Sequence, residues 1–178
     1  MRVITGSARG RRLRAPAGEA VRPTSAIVKE AIFSAVQFGV EGAHVLDLFA
    51  GSGQMGIEAL SRGARGCVFV DNSKESLNIL RENLEATGPW PTGRVTPADA
   101  VSFLRGYRGD PFDLAFLDPP YGAGLLKTAL PLTAGLMSEG GVIFCETDCE
   151  TKLPEGCGEL ILQKEYRYGK IKVAKYTR

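Results

Sequence analysis

The sequence has very little histidine and no paired cysteines. Its only histidine, His44, lies at the start of a predicted strand, away from Cys67, Cys145, Cys149 and Cys157. No two cysteines have C-x-x-C spacing. A zinc site and a disulfide framework are therefore not expected, and a histidine-based catalytic triad has a single candidate. We expect no metal in this protein.

Long apolar runs are also missing. No stretch approaches the roughly 18 apolar residues that a membrane-spanning helix needs, and the residues after Met1 do not form an apolar signal segment. We therefore expect a cytoplasmic protein that does not bind a membrane. The 178 residues suit one domain with a proper core, so we predict a single domain over 1–178.

The net charge is small, +2, but it is unevenly distributed. Residues 1–30 carry seven Lys or Arg against two Asp or Glu, and residues 163–178 carry six against one. Each end therefore has a charge of +5, and the middle of the chain has a charge of −8. Basic ends on an acidic body indicate a surface that binds a polyanion, although charged termini are also often only solvated.

The order of apolar patterns predicts an α/β protein. Residues 1–22 are predicted to form a basic N-terminal arm, irregular or a β-hairpin, and 23–178 a catalytic core. A first helix opens at Pro23-Thr24 and continues to about residue 38. Strands at 44–49, 66–70, 94–97, 112–117 and 141–146 then alternate with helices at 54–62, 74–86, 100–105 and 124–137. Such alternation is typical of a parallel sheet with helices on both faces.

The C-terminal part has a different pattern. The segments 159–166 and 170–176 are strand-like and are separated by a tight turn, which predicts an antiparallel hairpin. A mostly parallel sheet that closes with such a hairpin is the Rossmann-like architecture of class I methyltransferases, which use S-adenosylmethionine. We therefore predict a seven-stranded sheet of this type. A dinucleotide-binding domain has no reason to end in a hairpin.

The run from Val45 to Gly56 predicts a strand, a glycine loop and the start of a helix, as in nucleotide sites. The glycines, among them Gly51 and Gly53, allow the backbone to approach a ligand without Cβ collisions. The carboxylate of Asp47 opposes a pyrophosphate and favours a cationic ligand, such as the ammonium and sulfonium of S-adenosylmethionine. The glycine spacing alone is weak, and a purely structural turn stays open.

Two more acids are predicted at the carboxyl ends of successive strands, where open α/β sheets bind ligands. Asp71 can accept hydrogen bonds from both ribose hydroxyls, and Asp99 can accept an adenine amino proton beside the Ala100 N–H. For Asp99 a plain helix cap is the alternative. The candidate cofactor-binding residues are Asp47, Ala50, Gly51, Ser52, Gly53, Asp71, Asn72, Asp99 and Ala100.

The most specific motif is Asp118-Pro119-Pro120-Tyr121, after the fourth strand. Two prolines fix an extended turn, so the Asp118 carboxylate and a neighbouring carbonyl are held as acceptors that face the crevice. When these acceptors take hydrogen bonds from both N–H groups of an aryl or amide-like NH₂, the nitrogen lone pair becomes localised towards a methyl donor. Tyr121 can stack on a flipped-out base. We predict that these four residues are catalytic, and the alternative is a strand-ending turn.

Together these motifs resemble those of the DPPY amino-methyltransferases, and among them the bacterial guanine-N2 methyltransferases of small-subunit ribosomal RNA, the RsmD family. The likeness covers almost the whole chain. It includes residues 6–13, Arg22-Pro23-Thr24, 29–33, 47–64, the DPPY residues and Tyr168-Gly169-Lys170. Asp71 stands where Glu is frequent in the family. An Asp carboxylate can still accept hydrogen bonds from the ribose hydroxyls, but its side chain is shorter than that of Glu.

The resemblance implies methyl transfer from S-adenosylmethionine to N2 of one guanine in 16S rRNA, on a partly assembled small subunit and by a monomer. Asp118 would accept the amine protons, and Tyr121 would stack on the base. The basic ends would contact the RNA. The candidate RNA-binding residues are Arg9, Arg11, Arg12, Arg14, Arg22 and Lys170.

Three alternatives stay open at this point. The DPPY motif serves both amines, so the residues alone do not separate guanine N2 from adenine N6 of RNA or DNA. A non-catalytic RNA-binding protein would keep the basic ends but would not need Asp118 and Tyr121. An NAD-dependent oxidoreductase is disfavoured because Asp47 opposes a pyrophosphate and the DPPY motif has no role in it.

Overall fold

A computed structural model describes residues 1–15, 26–88, 91–120 and 124–178. Within these ranges the chain forms five helices and eight strands. In chain order they are α1 (Ala26–Ala35), β1 (His44–Leu48), α2 (Gln54–Ser61), β2 (Gly66–Asp71), α3 (Lys74–Thr87), β3 (Gly93–Pro97), α4 (Ala100–Gly106), β4 (Phe112–Leu117), α5 (Leu125–Ala134), β5 (Met137–Asp148), β6 (Gly156–Cys157), β7 (Leu160–Tyr168) and β8 (Ile171–Thr177). The predicted alternation of strands and helices is confirmed.

All strands belong to one sheet with the order β3-β2-β1-β4-β5-β8-β7-β6. The strands β1 to β5 are parallel, and β8 pairs antiparallel with β5 and with β7. The predicted parallel sheet and C-terminal hairpin are therefore both present. The prediction of seven strands is wrong by one, because two residues of β6 pair with the outer edge of β7. A two-residue strand has no periodicity that a sequence pattern can reveal.

Helices cover both faces of the parallel strands. Successive strand residues point to opposite faces, so the neighbours Val45 and Leu46 in β1 belong to two separate apolar clusters. The first cluster includes residues of α1, α2 and α3, and the second includes residues of α4 and α5. Each fully buried Val or Leu contributes about 1.5–3 kcal/mol to folding. Burial on both faces explains why these strands are nearly continuous apolar runs.

The largest boundary difference concerns α5 and β5. The helix was predicted to reach residue 137, but it ends at Ala134, and Pro131 lies inside it. The strand was predicted from residue 141, but it begins at Met137. Its register against β4 shifts between Phe112 and Leu114, so the glycine pair 140–141 belongs to an irregular stretch of strand and not to a turn before it.

The helix α1 begins at Ala26 and ends at Ala35, whereas the sequence predicted a longer helix. Its predicted start at Pro23-Thr24 lies outside the described residues. Within the four described ranges, no helix has the length and apolarity that crossing a membrane requires. The described part of the N-terminal arm, residues 1–15, is a hairpin, with an antiparallel bridge between Arg2 and Arg12.

Candidate active site

Four acids lie where strands of the parallel sheet end. Asp47 is the last residue but one of β1, and Asp71 is the last residue of β2. Asp99 follows β3, and Asp118 follows β4. Because these strands are parallel neighbours, their carboxyl ends meet at one edge of the sheet. Ligand sites of open α/β sheets lie at this edge. The fold therefore brings together the acids that the sequence singled out.

The glycine loop after β1 has an unusual backbone. Phe49 has a φ of 64°, and Gly51 and Gly53 have φ values of 55° and 76°. A left-handed conformation is costly for a bulky residue such as Phe49, and strain of this kind concentrates at functional sites. Two hydrogen bonds hold the loop, from Gly53 N–H to Ala50 O at 2.7 Å and from Ala50 N–H to Val70 O at 3.0 Å.

Two glycines of the loop and one in the first turn of α2 have different reasons to be glycine. Apart from its chain neighbours, a Cβ on Gly51 would meet no atom nearer than Phe49 O, at 4.0 Å, so open space lies beside it. A Cβ on Gly53 would lie 2.1 Å from Cδ1 of Leu80, and one on Gly56 would lie 2.2 Å from Cε1 of Phe69. Only Gly51 therefore offers room for a ligand. Gly53 and Gly56 let α2 pack closely on its neighbours.

Asp47 is buried, with only 4% of its surface exposed. Its Oδ2 accepts a hydrogen bond from the Gly56 N–H at 2.8 Å and so anchors the first turn of α2. Burial raises the pKa of Asp47 to about 7; the Gly56 hydrogen bond opposes this rise, and the nearby Asp71 adds to it. A buried carboxylate with a raised pKa is suited to a cationic group, which would restore its charged form.

Replacing Asp47 with asparagine is expected to stabilise the ligand-free protein increasingly as the pH rises from about 5 to 7. The folded-state pKa of about 7 lies above the unfolded value, so the stability that this carboxyl contributes is fully present at low pH. It is lost as the pH rises from the unfolded pKa towards 7, where the unfolded chain ionises and the folded protein does not. The advantage of Asp47→Asn over the wild type should grow by roughly tenfold in the folding equilibrium constant for each pH unit in that window. Denaturant unfolding at several pH values measures it.

Asp99→Asn is a control of opposite sign for this titration. A hydrogen bond from Ser102 lowers the pKa of Asp99, so its carboxylate contributes stability that is lost as the pH falls. Asp99→Asn should therefore be less stable than the wild type near neutral pH. If the Asp47→Asn advantage does not change with pH, Asp47 does not titrate near neutrality.

Asp71 joins the glycine loop to the loop after β2. Its Oδ2 accepts from the Gly51 N–H at 2.8 Å, and its Oδ1 accepts from the Ser73 N–H at 2.8 Å. A carboxylate oxygen has two lone pairs, so each can accept a further bond from a hydroxyl. Asp71 is half-buried and its neighbour Asn72 is exposed. The predicted ribose contact is compatible with this geometry and stays a prediction.

Asp99 caps a helix, which was the alternative to its predicted adenine contact. Its Oδ1 accepts from the Ser102 N–H at 2.9 Å, at the first turn of α4. The carboxylate is exposed, and the following Ala100 is buried. The cap accounts for an acid at this position without a ligand. A contact from Asp99 or Ala100 to a cofactor stays a prediction.

The DPPY motif begins directly after β4. Asp118 is half-buried, Pro119 is buried and Pro120 is exposed. Leu117 pairs with Cys145 in β5, so Asp118 lies next to the carboxyl-terminal part of that strand. Tyr121, the fourth predicted catalytic residue, lies outside the described residues, as does Arg22.

The N-terminal arm is attached to the body of the protein by a buried acid that the sequence did not single out for a role. The Glu58 carboxylate accepts from Ile4 N–H at 2.8 Å and from Thr5 N–H at 3.0 Å. Lys29 and Arg62 also contact this carboxylate, at 3.1 Å and 2.9 Å. The backbone of the arm is therefore held against α2 at Ile4 and Thr5.

The predicted RNA-binding side chains that the structure describes nevertheless remain accessible. Arg9, Arg11 and Arg12 are exposed on the arm, whereas the Arg14 guanidinium is paired with Glu82. Lys170 is exposed at the turn between β7 and β8. Since β8 begins opposite Asp148, at the carboxyl end of β5, the turn lies at the same edge as the acids. A contact of any of these residues with RNA stays a prediction.

A groove of about 730 Å³ lies elsewhere, between β3, α4 and the following loop. It is lined by arginines that include Arg65 and Arg94, and it contains none of the predicted site residues. Arg65 is partly neutralised by Asp110 and Asp113, at 3.8 and 3.9 Å. The parts of the chain that are described contain no group of His, Cys, Asp or Glu that could hold a metal ion.

The sheet order, the strained glycine loop and the acids at one edge define a protein of the class I methyltransferase fold. Solved structures agree. The Escherichia coli protein yhhF, described as a candidate methyltransferase, has a TM-score of 0.88 and 33% identity, covering 100% of this chain and 97% of that one. The candidate methylase HI0767 from Haemophilus influenzae has a TM-score of 0.83 and 30% identity, covering 99% and 97%.

The family model described as conserved hypothetical protein 95 matches residues 1–177. A Bacillus subtilis protein named provisionally as an rRNA methyltransferase, YlbH, is 41% identical, covering 100% of this chain and 99% of its own. The Escherichia coli ribosomal RNA small subunit methyltransferase D is 34% identical, covering 100% and 90%. This chain therefore belongs to the RsmD family, which the sequence motifs had indicated.

Proposed function

We propose that this protein is an S-adenosylmethionine-dependent methyltransferase of ribosomal RNA, and that it methylates the exocyclic N2 amine of one guanine in 16S rRNA. The observation that carries the proposal is Asp118, which opens the DPPY motif at the end of β4 and lies on the same sheet edge as the loop that Asp47 and Asp71 hold. The full-length similarity to a small-subunit rRNA methyltransferase supports it. The finer choice of guanine N2 rests on the family resemblance.

The residues around the glycine loop fit S-adenosylmethionine. Open space beside Gly51 accommodates a ligand that lies against the backbone, and the buried Asp47 suits a cationic group. Asp71 would accept hydrogen bonds from the ribose hydroxyls, and Asp99 would accept one from the adenine amino group. When bound, the cofactor supplies an electrophilic methyl group. These features favour this cofactor over NAD, because Asp47 would repel a pyrophosphate.

The DPPY residues would act on the acceptor amine. The Asp118 carboxylate and a neighbouring carbonyl accept hydrogen bonds from the two N–H groups of the amine, and these bonds localise the nitrogen lone pair towards the methyl carbon. Pro119 and Pro120 restrict the backbone and hold both acceptors in place. Tyr121 stacks on the base after it leaves the RNA stack. No general base with a raised pKa is needed, because the methylated amine is acidic and loses its proton to solvent.

The test is transfer of labelled methyl from S-adenosylmethionine to small ribosomal subunits and to their protein-free RNA, followed by nucleoside analysis. We expect N2-methylguanosine, formed on partly assembled subunits by a monomeric cytoplasmic enzyme. N6-methyladenosine would overturn the substrate assignment in favour of the adenine alternative. Absence of any transfer, with RNA binding intact, would support a non-catalytic RNA-binding protein. A melting shift with NAD and none with S-adenosylmethionine would overturn the cofactor assignment.

Replacing Arg11 and Arg12 with alanine should weaken RNA binding and flatten its salt dependence. A single flipped guanine offers little surface, so contacts with phosphates must supply much of the affinity. If each arginine neutralises one phosphate, the slope of log K against log salt falls by roughly one unit per residue, borrowing the duplex-DNA value. Filter binding at several salt concentrations measures the slope.

The matched control removes the same charge from the other face of the sheet, the face that α4 covers. Arg105 and Arg108 are exposed on and just after α4, far along the chain from the arm, and their double replacement should leave the slope unchanged. S-adenosylmethionine affinity should be unaffected in both double variants. Equal slopes for the wild type and Arg11→Ala/Arg12→Ala would mean that the arm does not contact phosphates.

A further inference from the structure

One buried side chain joins the N-terminal arm to the glycine loop. Asn83 lies on α3 and is 1% exposed. Its Oδ1 accepts from the Arg14 N–H at 2.8 Å, and its Nδ2 donates to Arg14 O at 3.0 Å. The same Nδ2 donates to Ser52 O, in the glycine loop, at 2.9 Å. The amide of Asn83 thus contacts the predicted RNA-binding arm and the predicted cofactor loop at once.

The partners of Asn83 leave a single orientation for its amide. A backbone N–H must face the oxygen, and the carbonyls of Arg14 and Ser52 must face the NH₂ group. Asparagine meets all three demands, whereas an apolar residue would leave these buried backbone groups without partners. Asn83 was not among the predicted residues. The available signal was a polar residue on the buried face of an amphipathic helix.

A second contact joins the arm to the loop. The Ser52 hydroxyl lies 4.0 Å from the Met1 sulfur, and the Met1 carbonyl accepts from the Leu13 N–H at 3.0 Å. Both strands of the hairpin therefore touch Ser52, directly or through Asn83. The opposite part of the hairpin is attached through Glu58 to α2, the helix that begins directly after the loop. The arm and the loop are thus parts of one hydrogen-bonded unit.

We propose that Asn83 is a positioning residue that couples cofactor binding to RNA binding. Cofactor that occupies the loop restrains Ser52, and through Asn83 it restrains the arm in the position that RNA contacts. The second ligand then meets a unit that is already ordered, so each ligand tightens the binding of the other. Thermodynamic linkage requires the factor to be equal in both directions. The inference rests on the proposed function, because it assigns the two ligands to the arm and the loop.

The test compares RNA affinity with and without saturating S-adenosylhomocysteine, a cofactor product that prevents turnover. Small-subunit rRNA is the probe, and full-length protein is used throughout. The wild type should bind RNA about fivefold or more tightly when the loop is occupied, within the usual range of coupling factors. In Asn83→Ala this ratio should fall to near one. Asn78, exposed on the same helix, provides the matched control, and Asn78→Ala should keep the wild-type ratio.

A measurement on the wild type covers the case in which Asn83→Ala does not fold. Hydrogen exchange of the Arg14 amide, which donates to Asn83, should slow when S-adenosylhomocysteine is added without RNA. Unchanged exchange would overturn the coupling, as would a wild-type ratio of one or a full ratio in a folded Asn83→Ala. Failure to bind either ligand at all would instead overturn the proposed function, so the two failures are distinguishable.

Discussion

Replacing Asp118 with alanine is expected to lower the methyl-transfer rate by roughly 10³-fold or more, equivalent to about 4 kcal/mol of transition-state stabilisation. The proposed partner of this carboxylate is the target amine, so its removal takes away an acceptor where the lone pair must be localised. Much of the cofactor affinity should remain, because Asp47, Asp71 and the glycine loop are unchanged. Single-turnover methyl transfer measures the rate, and calorimetric titration measures the affinity.

Asp118→Asn provides the graded comparison. Asparagine keeps one acceptor oxygen and the shape of the side chain but loses the charge, so its rate should lie between those of the wild type and Asp118→Ala. Near-normal turnover in Asp118→Ala would contradict the mechanism. At saturating cofactor the rate should depend only weakly on pH near neutrality, because no general base with a raised pKa takes part.

Asp71→Ala is expected to reduce S-adenosylmethionine affinity by roughly ten- to a hundredfold. A charge-assisted hydrogen bond contributes ~1.5–3 kcal/mol, and the ribose hydroxyls would lose this acceptor. The structure gives a second reason for the lower affinity. In Asp71→Ala the Gly51 and Ser73 N–H groups lose the carboxylate that both donate to. The loop would then have to be ordered when the ligand binds. Calorimetric titration measures the loss.

The control for this loop effect is Asp148→Ala. Asp148 also ends a strand at the same sheet edge, and it accepts from the Glu150 N–H at 2.9 Å and the Thr151 N–H at 2.8 Å. The replacement Asp148→Ala removes a comparable anchor of a loop but no proposed ribose contact, so the cofactor affinity should change little. An unchanged dissociation constant in Asp71→Ala would mean that the ribose lies elsewhere.

The sequence by itself determined the architecture and the motifs. Strand and helix periodicity are local properties of the chain, so the alternation from β1 to β5 and the final hairpin could be predicted closely. The helix cap at Asp99 could also be recognised, because a cap and its N–H partner are three residues apart. The sequence also predicted that the acids after these strands lie at one edge of the sheet, because the carboxyl ends of parallel strands meet there.

The tertiary structure alone decided how these parts are held. Which glycine has open space beside it depends on Leu80 and Phe69, which approach Gly53 and Gly56 from other elements. The raised pKa of Asp47 depends on its burial, which no local pattern encodes. Contacts of this kind follow from packing between distant segments.

The arm gives the clearest example. Its sequence predicts an irregular segment or a hairpin, but it does not predict that the backbone is hydrogen-bonded to Glu58 and Asn83, which lie 53 to 69 residues further along the chain. A periodic pattern identifies an element and its buried face, but it does not identify the partner that a buried polar group meets there. That pairing is decided when the helices pack on the sheet, because a buried acceptor without a donor would cost folding energy.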